Sequence, residues 1–337
     1  MSALTTRGGR LAIAVAAALV VVIGLAAAGA FGACGSSGRK GGRPSAAVSS
    51  SAHGGVAHAT AVAFARSVHP RVADTWGEIK GREFIAGAFQ QYGYFPRTQE
   101  FIARTGRRRV HSANVIAVKE GESPAQLVIG AHYDSVAAGE GYSDNATGVG
   151  LLLEAAARIK GRRTPYTLVF IAFGAEEQGS LGAQAYLDAA SGLDRRAIIG
   201  MIDLDAVAGG DDLSVMSRVG EPTWLRDDAL GAAHSLGIDL GTSPRAPGRA
   251  AGTMQAPSDD LVFVDAGYPT AVFSAVSWEG SRGTHMAATS ELPGLWHSPD
   301  DTVARIEKTF PGRVRRQLGN LSRVLEELLT SELEREP

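Results

Sequence analysis

Residues 167–173 read Thr-Leu-Val-Phe-Ile-Ala-Phe, with no charge and nothing polar after the first position. Side chains of a strand alternate between its two faces, so a run of this kind has no face to offer water. It needs a packed layer on each side, and the flanking sequence supplies the layers. Residues 148–159 put Leu151, Leu152, Ala155 and Ile159 on one helical face, and residues 181–189 and 224–236 also read as helices. Near the end, Val314, Leu318, Leu321, Leu325 and Leu328 recur in steps of three and four, the period of a long amphipathic helix over 314–329. Between these lie short apolar strands at 126–131, 197–204 and 271–275. Strand–helix alternation predicts an α/β fold with a mixed, mostly parallel central sheet and helices on both faces.

Upstream, Val62, Phe64, Ala65 and Val68 have helical spacing, continued by Ile85, Phe89 and Tyr92 beyond the loop at Pro70. Strands at 94–103 and 110–119 flank Arg104-Thr-Gly-Arg-Arg-Arg109, a basic hairpin tip. No aromatic residues accompany these arginines, which favours a solvated turn over a phosphate site. There is no internal repeat and no second composition regime, so residues 61–337 are expected to form one catalytic domain. The composition, 45% hydrophobic and 20% charged, is that of an ordinary globular protein. A formal charge of −2 gives no reason to expect nucleic acid or an anionic membrane surface as partner.

The N-terminus has its own logic. Arg7 and Arg10 precede an uncharged apolar run from Leu11 to about Ala33, as in an export signal. The run is also long enough to span a bilayer, where about 20 apolar residues suffice. Phe31-Gly32-Ala33 before Cys34 resembles a bacterial lipobox, with Phe standing where Leu is usual. Residues 1–34 thus fit three fates: a lipoprotein signal ending at Cys34, a cleaved signal peptide, or a retained anchor. All three place the protein outside the cytoplasm, at the cell surface or secreted. Residues 35–60, rich in Gly, Ser, Ala, Arg and Lys, read as a flexible tether, with His53 and His58 as spacer residues. Cys34 is the only cysteine, so no internal disulfide exists.

In open α/β sheets, ligands bind beyond the carboxyl ends of the strands. Strand 126–131 runs into His132-Tyr-Asp134-Ser, strand 167–173 into Gly-Ala-Glu176-Glu177, and strand 197–204 into Asp205. Asp144 sits just before the helix at 148, and His297 in the loop before the last helices. Each residue alone has an ordinary explanation, such as a cap, a turn or a solvated loop. Their convergence on one sheet edge does not. Histidine and carboxylate are the nitrogen and oxygen ligands of zinc, and a catalytic zinc keeps about three protein ligands. Five residues, His132, Asp144, Glu177, Asp205 and His297, supply two such sites if one carboxylate bridges them, and Glu176 is left over as a general base.

His132-Tyr-Asp-Ser, Gly141-Tyr-Ser-Asp-Asn-Ala-Thr-Gly148, Phe173-Gly-Ala-Glu-Glu-Gln-Gly-Ser180, Ile202-Asp-Leu-Asp205 and His297-Ser-Pro-Asp-Asp-Thr302 resemble the M28 family of zinc aminopeptidases. Asn114-Val-Ile-Ala117, Ser258-Asp-Asp260 and Ala266-Gly-Tyr-Pro269 extend the likeness over nearly everything from residue 61. The resemblance implies two zinc ions, one on His132 and Asp205, the other on Glu177 and His297, with Asp144 bridging. It implies that Glu176 takes a proton from the water between them and passes it to the leaving amine. It places Asp134 behind His132, orienting the ring through its other nitrogen, and a cis peptide between Asp144 and Asn145. The substrate implied is a peptide or protein N-terminus.

Glutaminyl cyclases share the fold and ligand types but resemble single-zinc enzymes, and their bridging region lacks the Asn-Ala-Thr-Gly run of 145–148. A non-catalytic relative is the other alternative, though all five ligands and Glu176 are present. No arginine is obviously placed to hold a terminal carboxylate, which weakens a carboxypeptidase reading. Asp203, two residues before Asp205 on the same strand face, is a candidate supporting acid. Two departures from the family stand out: Trp296 where several members carry a tyrosine that donates to the oxyanion, and Asp260 where another residue is common. Residues 206–260, the expected specificity region, are Gly/Ala-rich and do not identify the preferred first residue.

Overall fold

The computed structural model describes residues 52–246, 250–254, 256–279 and 285–333. The signal, lipidation and anchor readings at 1–34 lie outside them. The apolar run is β4 (Tyr166–Phe173), buried at every residue. Its neighbours in sequence are β1 (Arg97–Thr105), β2 (Arg108–Lys119), β3 (Ser123–His132), β5 (Ile198–Leu204), β6 (Asp212–Met216), β7 (Thr270–Glu279) and β8 (His285–Ala287). Among the described residues these form an eight-stranded sheet ordered β1-β2-β4-β3-β5-β7-β6, with β8 on β7. The centre, β4-β3-β5-β7, is parallel, and β1, β2, β6 and β8 join antiparallel.

The period-two pattern of the centre sorts side chains into two cores. Leu168, Phe170 and Ala172 of β4, with Leu127, Ile129 and Ala131 of β3, face one layer. That layer is built from α1 (Gly55–Ser67), α2 (Trp76–Gln91), α3 (Thr147–Ile159), α6 (Trp224–Ser235) and α9 (Arg313–Thr330). Val169, Ile171 and Phe173 face the other side, against α4 (Leu181–Ala189) and α7 (Asp260–Asp265). Helix α3 is buried throughout because it lies between the sheet and the outer helices α1 and α9. Gly148 opens it where an added Cβ would collide with the side chain of Asn145 and the carbonyl of Leu204, so only glycine permits this approach.

The structure adds elements the sequence pattern did not show. Strand β6 and the short helices α5 (Gly192–Ala197), α7 and α8 (Val303–Thr309) are too brief for a period to emerge, and tertiary pairing stabilises them. Residues 55–60, expected to belong to a tether over 35–60, instead form the start of α1, and 35–51 lie outside the described residues. The reason is tertiary. The buried carboxylate of Glu154 on α3 accepts the backbone N–H groups of Gly54 and Ala57 at 2.8 and 2.6 Å, the first turn of α1. The same carboxylate takes Ser322 Oγ of α9 at 2.7 Å and Arg158 Nε at 2.7 Å. An anion at a helix N-terminus satisfies donors that otherwise lack partners. His53 and His58, expected as spacers, pair with Glu326 and Glu307, each at 2.9 Å. Among the described residues no helix is long and apolar enough to cross a membrane.

Burial alone raises the Glu154 pKa, but hydrogen bonds from Ser322, Arg158, Ala57 and Gly54 outweigh it and hold the group below its ordinary value of 4.5. A depressed acid stabilises the fold fully above the unfolded-state pKa, and the contribution is lost as pH falls through the folded one. Glu154→Ala, which removes the acceptor shared by Arg158 Nε and three other donors, is expected to cost about 3–5 kcal/mol at neutral pH. The difference from the parent should shrink below pH 4.5. Denaturant unfolding across pH, with amide exchange of residues 55–61, reads both effects.

Candidate metal centre

Strand register brings the site together. His132 closes β3 opposite Phe173, and Leu204 at the end of β5 lies opposite Phe273 of β7. Glu176 and Glu177 follow β4, and Asp205 follows β5. Asp144 belongs to the irregular turn Tyr142–Ala146 that leads into α3, and the Asp144–Asn145 peptide is cis as the resemblance implied. His297 arrives from the loop before α8. Ala175, Ala206 and His297, each beside or within the site, hold positive φ of 58°, 47° and 57°, a conformation L-residues seldom adopt. Such outliers cluster where surrounding structure forces a functional geometry.

The five expected ligands form two groups that share Asp144. His132 Nε2 lies 3.1 Å from Asp144 Oδ1 and 3.5 Å from Asp205 Oδ1. His297 Nε2 lies 3.2 Å from Asp144 Oδ2 and 3.1 Å from Glu177 Oε2. Atoms about 2.0–2.1 Å from a tetrahedral zinc stand roughly 3.3 Å from each other. The separations therefore suit a cation in each group, with one oxygen of Asp144 turned to each. Glu177 Oε1 is buried and has no hydrogen-bond partner among the described residues. The donor set and this orphaned oxygen both fit zinc.

Electrostatics says the same. Asp144 and Glu177 hold the His297 pKa up at about 10. Burial opposes protonation of His132, yet Asp134, Asp144 and Asp205 carry its pKa well above 6.5. Asp144 is buried, which disfavours its charge, but the two histidines hold it ionised. Glu176 is pushed up to about 9, first by burial and then by the charges of Asp205, Asp134 and Glu177, with His132 opposing. Burial and the charges of Asp260 and Asp205 push Asp203 up to about 8. This is a pocket of excess negative charge that favours cations.

A surrounding shell positions these groups. Asp134, expected to orient His132, has both oxygens engaged elsewhere: Oδ1 accepts Glu176 N at 3.0 Å and Oδ2 accepts Glu177 N at 3.2 Å. His132 Nδ1 is closer to the Asp134 carbonyl, at 3.3 Å, than to its carboxylate, at 3.7 Å. Asp134 thus fixes the two glutamates as well as the histidine. Ser258 Oγ joins Asp203 and Asp205 at 2.7 and 2.9 Å, which gives Asp203 its supporting place. Sequence reasoning assigned no role to Asp301 or Arg71. Asp301 accepts the N–H groups of Ser143 and Asp144 at 2.7 and 3.1 Å. Arg71, fully buried, donates to the carbonyls of Val68, Tyr133, Glu140 and Gly141. Burial lowers its pKa to about 10 against the pull of Asp301, Asp134, Asp144 and Glu177. Asp301 lay within a quoted motif, but nothing around Arg71 in the sequence marks a buried cation.

The ligands and Glu176 open on a cleft of about 530 Å³ whose other walls include Met254, Ala256, Pro257, Met286, Pro293 and Trp296. Residues 114–322 match the sequence profile of peptidase family M28. The alkaline phosphatase isozyme conversion protein of Escherichia coli strain K12 is 31% identical over 288 residues, 76% of this chain and 84% of that protein. A zinc aminopeptidase from Bacillus subtilis superposes with a TM-score of 0.66 at 18% identity, covering 82% of this chain and 95% of its own. A glutaminyl cyclase from an Acidobacteriales bacterium gives the same TM-score at 16% identity, covering 88% and 98%. At these identities the two structures speak to the fold alone.

Trp296 is the residue that departs from the family tyrosine. Its Nε1 is shielded from solvent and has no hydrogen-bond partner among the described residues, so it is not an open donor to the cleft. Trp296→Phe keeps an aromatic wall and removes the N–H, and kcat should stay within about threefold. Loss of an oxyanion donor would instead cost about 100-fold or more. Steady-state kinetics of this variant decides between them.

Proposed function

The chain belongs to peptidase family M28, and from that premise we propose that it is a two-zinc aminopeptidase acting on the N-termini of peptides. The observation that carries this reading is the bridging carboxylate, Asp144, with one oxygen toward His132 and the other toward His297. His132, Asp144 and Asp205 would hold one zinc, and Asp144, Glu177 and His297 the other. Zinc supplies a Lewis acid for the scissile carbonyl and lowers the pKa of a water to about 7.

The protein's own groups do the rest. Glu176 borders the cleft next to a ligand, with its backbone tied by Asp134. Bound zinc would offset the charges of Asp205, Asp134 and Glu177 that raise its pKa, and a Glu176 carboxylate oxygen, so ionised, accepts the proton of the attacking water and returns it to the departing amine nitrogen. Asp301, Asn145 and Arg71 keep the bridging turn in register: Asn145 Nδ2 donates to Leu204 O at 2.8 Å, and its Oδ1 accepts Ala206 N at 3.2 Å. The acid-rich floor attracts a free α-amine, which supports exopeptidase rather than endopeptidase action. The apolar wall of Met254, Met286 and Trp296 suits an apolar first side chain. The basic and apolar N-terminal segment ending at Cys34 supports action outside the cytoplasm.

Glu176→Gln should lower kcat by about 10²–10⁴-fold with zinc content unchanged. Retained activity refutes the proton-transfer role. Metal analysis of the purified chain should give two zinc ions, and a panel of aminoacyl anilides should favour leucine over lysine or glutamate. One zinc per chain, with cyclisation of an N-terminal glutamine and no anilide hydrolysis, would make the glutaminyl cyclase alternative correct.

A further inference from the structure

The departure at Asp260 has a partner that the sequence did not reveal. Arg218, near the end of β6, points its guanidinium at residues 254–260, and the pair is buried, with side chains 7% and 0% exposed. Arg218 Nε donates to Asp260 Oδ2 at 2.7 Å and Nη2 to Asp260 Oδ1. Its Nη1 donates to the carbonyls of Ala256 at 2.8 Å and Met254 at 3.4 Å. One side chain thus holds both ends of a single segment. Thr270 Oγ1 of β7 completes the set by donating to Asp260 Oδ2 at 3.2 Å.

That segment is a wall of the cleft. Met254, Ala256 and Pro257 line it together with Met286, Pro293 and Trp296, and Met254, Ala256 and Met286 belong to one apolar cluster. The next residue, Ser258, hydrogen-bonds Asp205, and Asp260 N donates to Asp203 Oδ2 at 3.1 Å. A buried ion pair is a weak source of stability, since desolvation offsets its attraction, and its best-attested use is to fix register. Its bidentate geometry holds direction as well as distance. Among the described residues between Met254 and α7 the wall carries no regular secondary structure. Its shape therefore depends on side-chain anchors of this kind.

We propose that Arg218, through Asp260 and the carbonyls of Met254 and Ala256, is the positioning residue that sets the size of first side chain the cleft accepts. The inference rests on the aminopeptidase reading. The hydrogen bonds of Arg218 go to Asp260, Met254 and Ala256 and to none of the five candidate ligands, so it acts on binding of the first side chain rather than on proton transfer at Glu176.

The test uses the full zinc-loaded chain and alanine, leucine and phenylalanine anilides. The double variant Arg218→Met with Asp260→Leu removes both charges, so neither is left buried alone. It should keep its zinc and its kcat on alanine anilide, while KM for the leucine and phenylalanine substrates rises about tenfold. Arg218→Lys should keep part of the discrimination, because the ammonium still pairs with Asp260 but lacks the guanidinium fork. That variant keeps both charges paired, carries the same expectation at smaller size and serves if the double variant does not fold. A merely structural role would lower activity on all three substrates in step, and an unchanged selectivity ratio or such a parallel fall overturns the proposal. A parent protein that hydrolyses none of the anilides instead removes the aminopeptidase reading itself.

Discussion

Like charges crowded into a dry corner are the constraint on which this protein depends. Asp134, Asp144, Glu176, Glu177, Asp203, Asp205, Asp259 and Asp260 meet around the ends of β3, β4 and β5. Asp203, Asp259 and Asp260 are almost wholly buried, and the pKa of each is pushed up first by that burial. Repulsion of this size is tolerated only where the backbone leaves no alternative and opposite charge is close. The buried guanidinium of Arg71 provides part of the offset, as do His132 and His297 while they are protonated. Bound metal would provide the remainder and displace those protons, which is why the arrangement reads as a metal centre and not as a structural salt-bridge network.

The sheet makes such crowding possible. Strand β4 is buried on both faces, so its ends cannot move without opening two cores. Parallel neighbours β3 and β5 end at the same edge, and His132, Glu176, Glu177 and Asp205 emerge side by side with no loop longer than a few residues to blur their positions. Rigid strands place the ligands, and short loops with positive φ turn them inward. The turn that carries Asp144 is then locked from three directions, by Asp301 on its N–H groups, Arg71 on the carbonyl of Gly141 before it and Asn145 on the end of β5.

The outer layers answer to a different requirement. Glu154 reaches from α3 to the first turn of α1 and to α9, so one buried acid ties three helices on the face of the sheet opposite α4 and α7. Around the cleft the anchors are Arg218 and Asp260. In both places a side chain distant in sequence gives shape to a segment with little local preference of its own.

The sequence by itself determined the α/β class, the central strands and long helices to within a few residues, and the identity of the residues that converge. Period, apolar runs and the chemistry of His, Asp and Glu are local properties, written in neighbouring positions. It also carried the two departures, Trp296 and Asp260, without saying what either does. Tertiary structure alone decided that Asp144 turns one oxygen to each histidine, that Asp134 serves two glutamate amides, that Arg71 lies beneath the site and that Arg218 answers Asp260. It also decided that helix starts at Gly55 in a stretch whose composition reads as tether. Each of these rests on a hydrogen bond or charge contact between residues tens or hundreds of positions apart, and such a contact has no period and leaves no local mark along the chain.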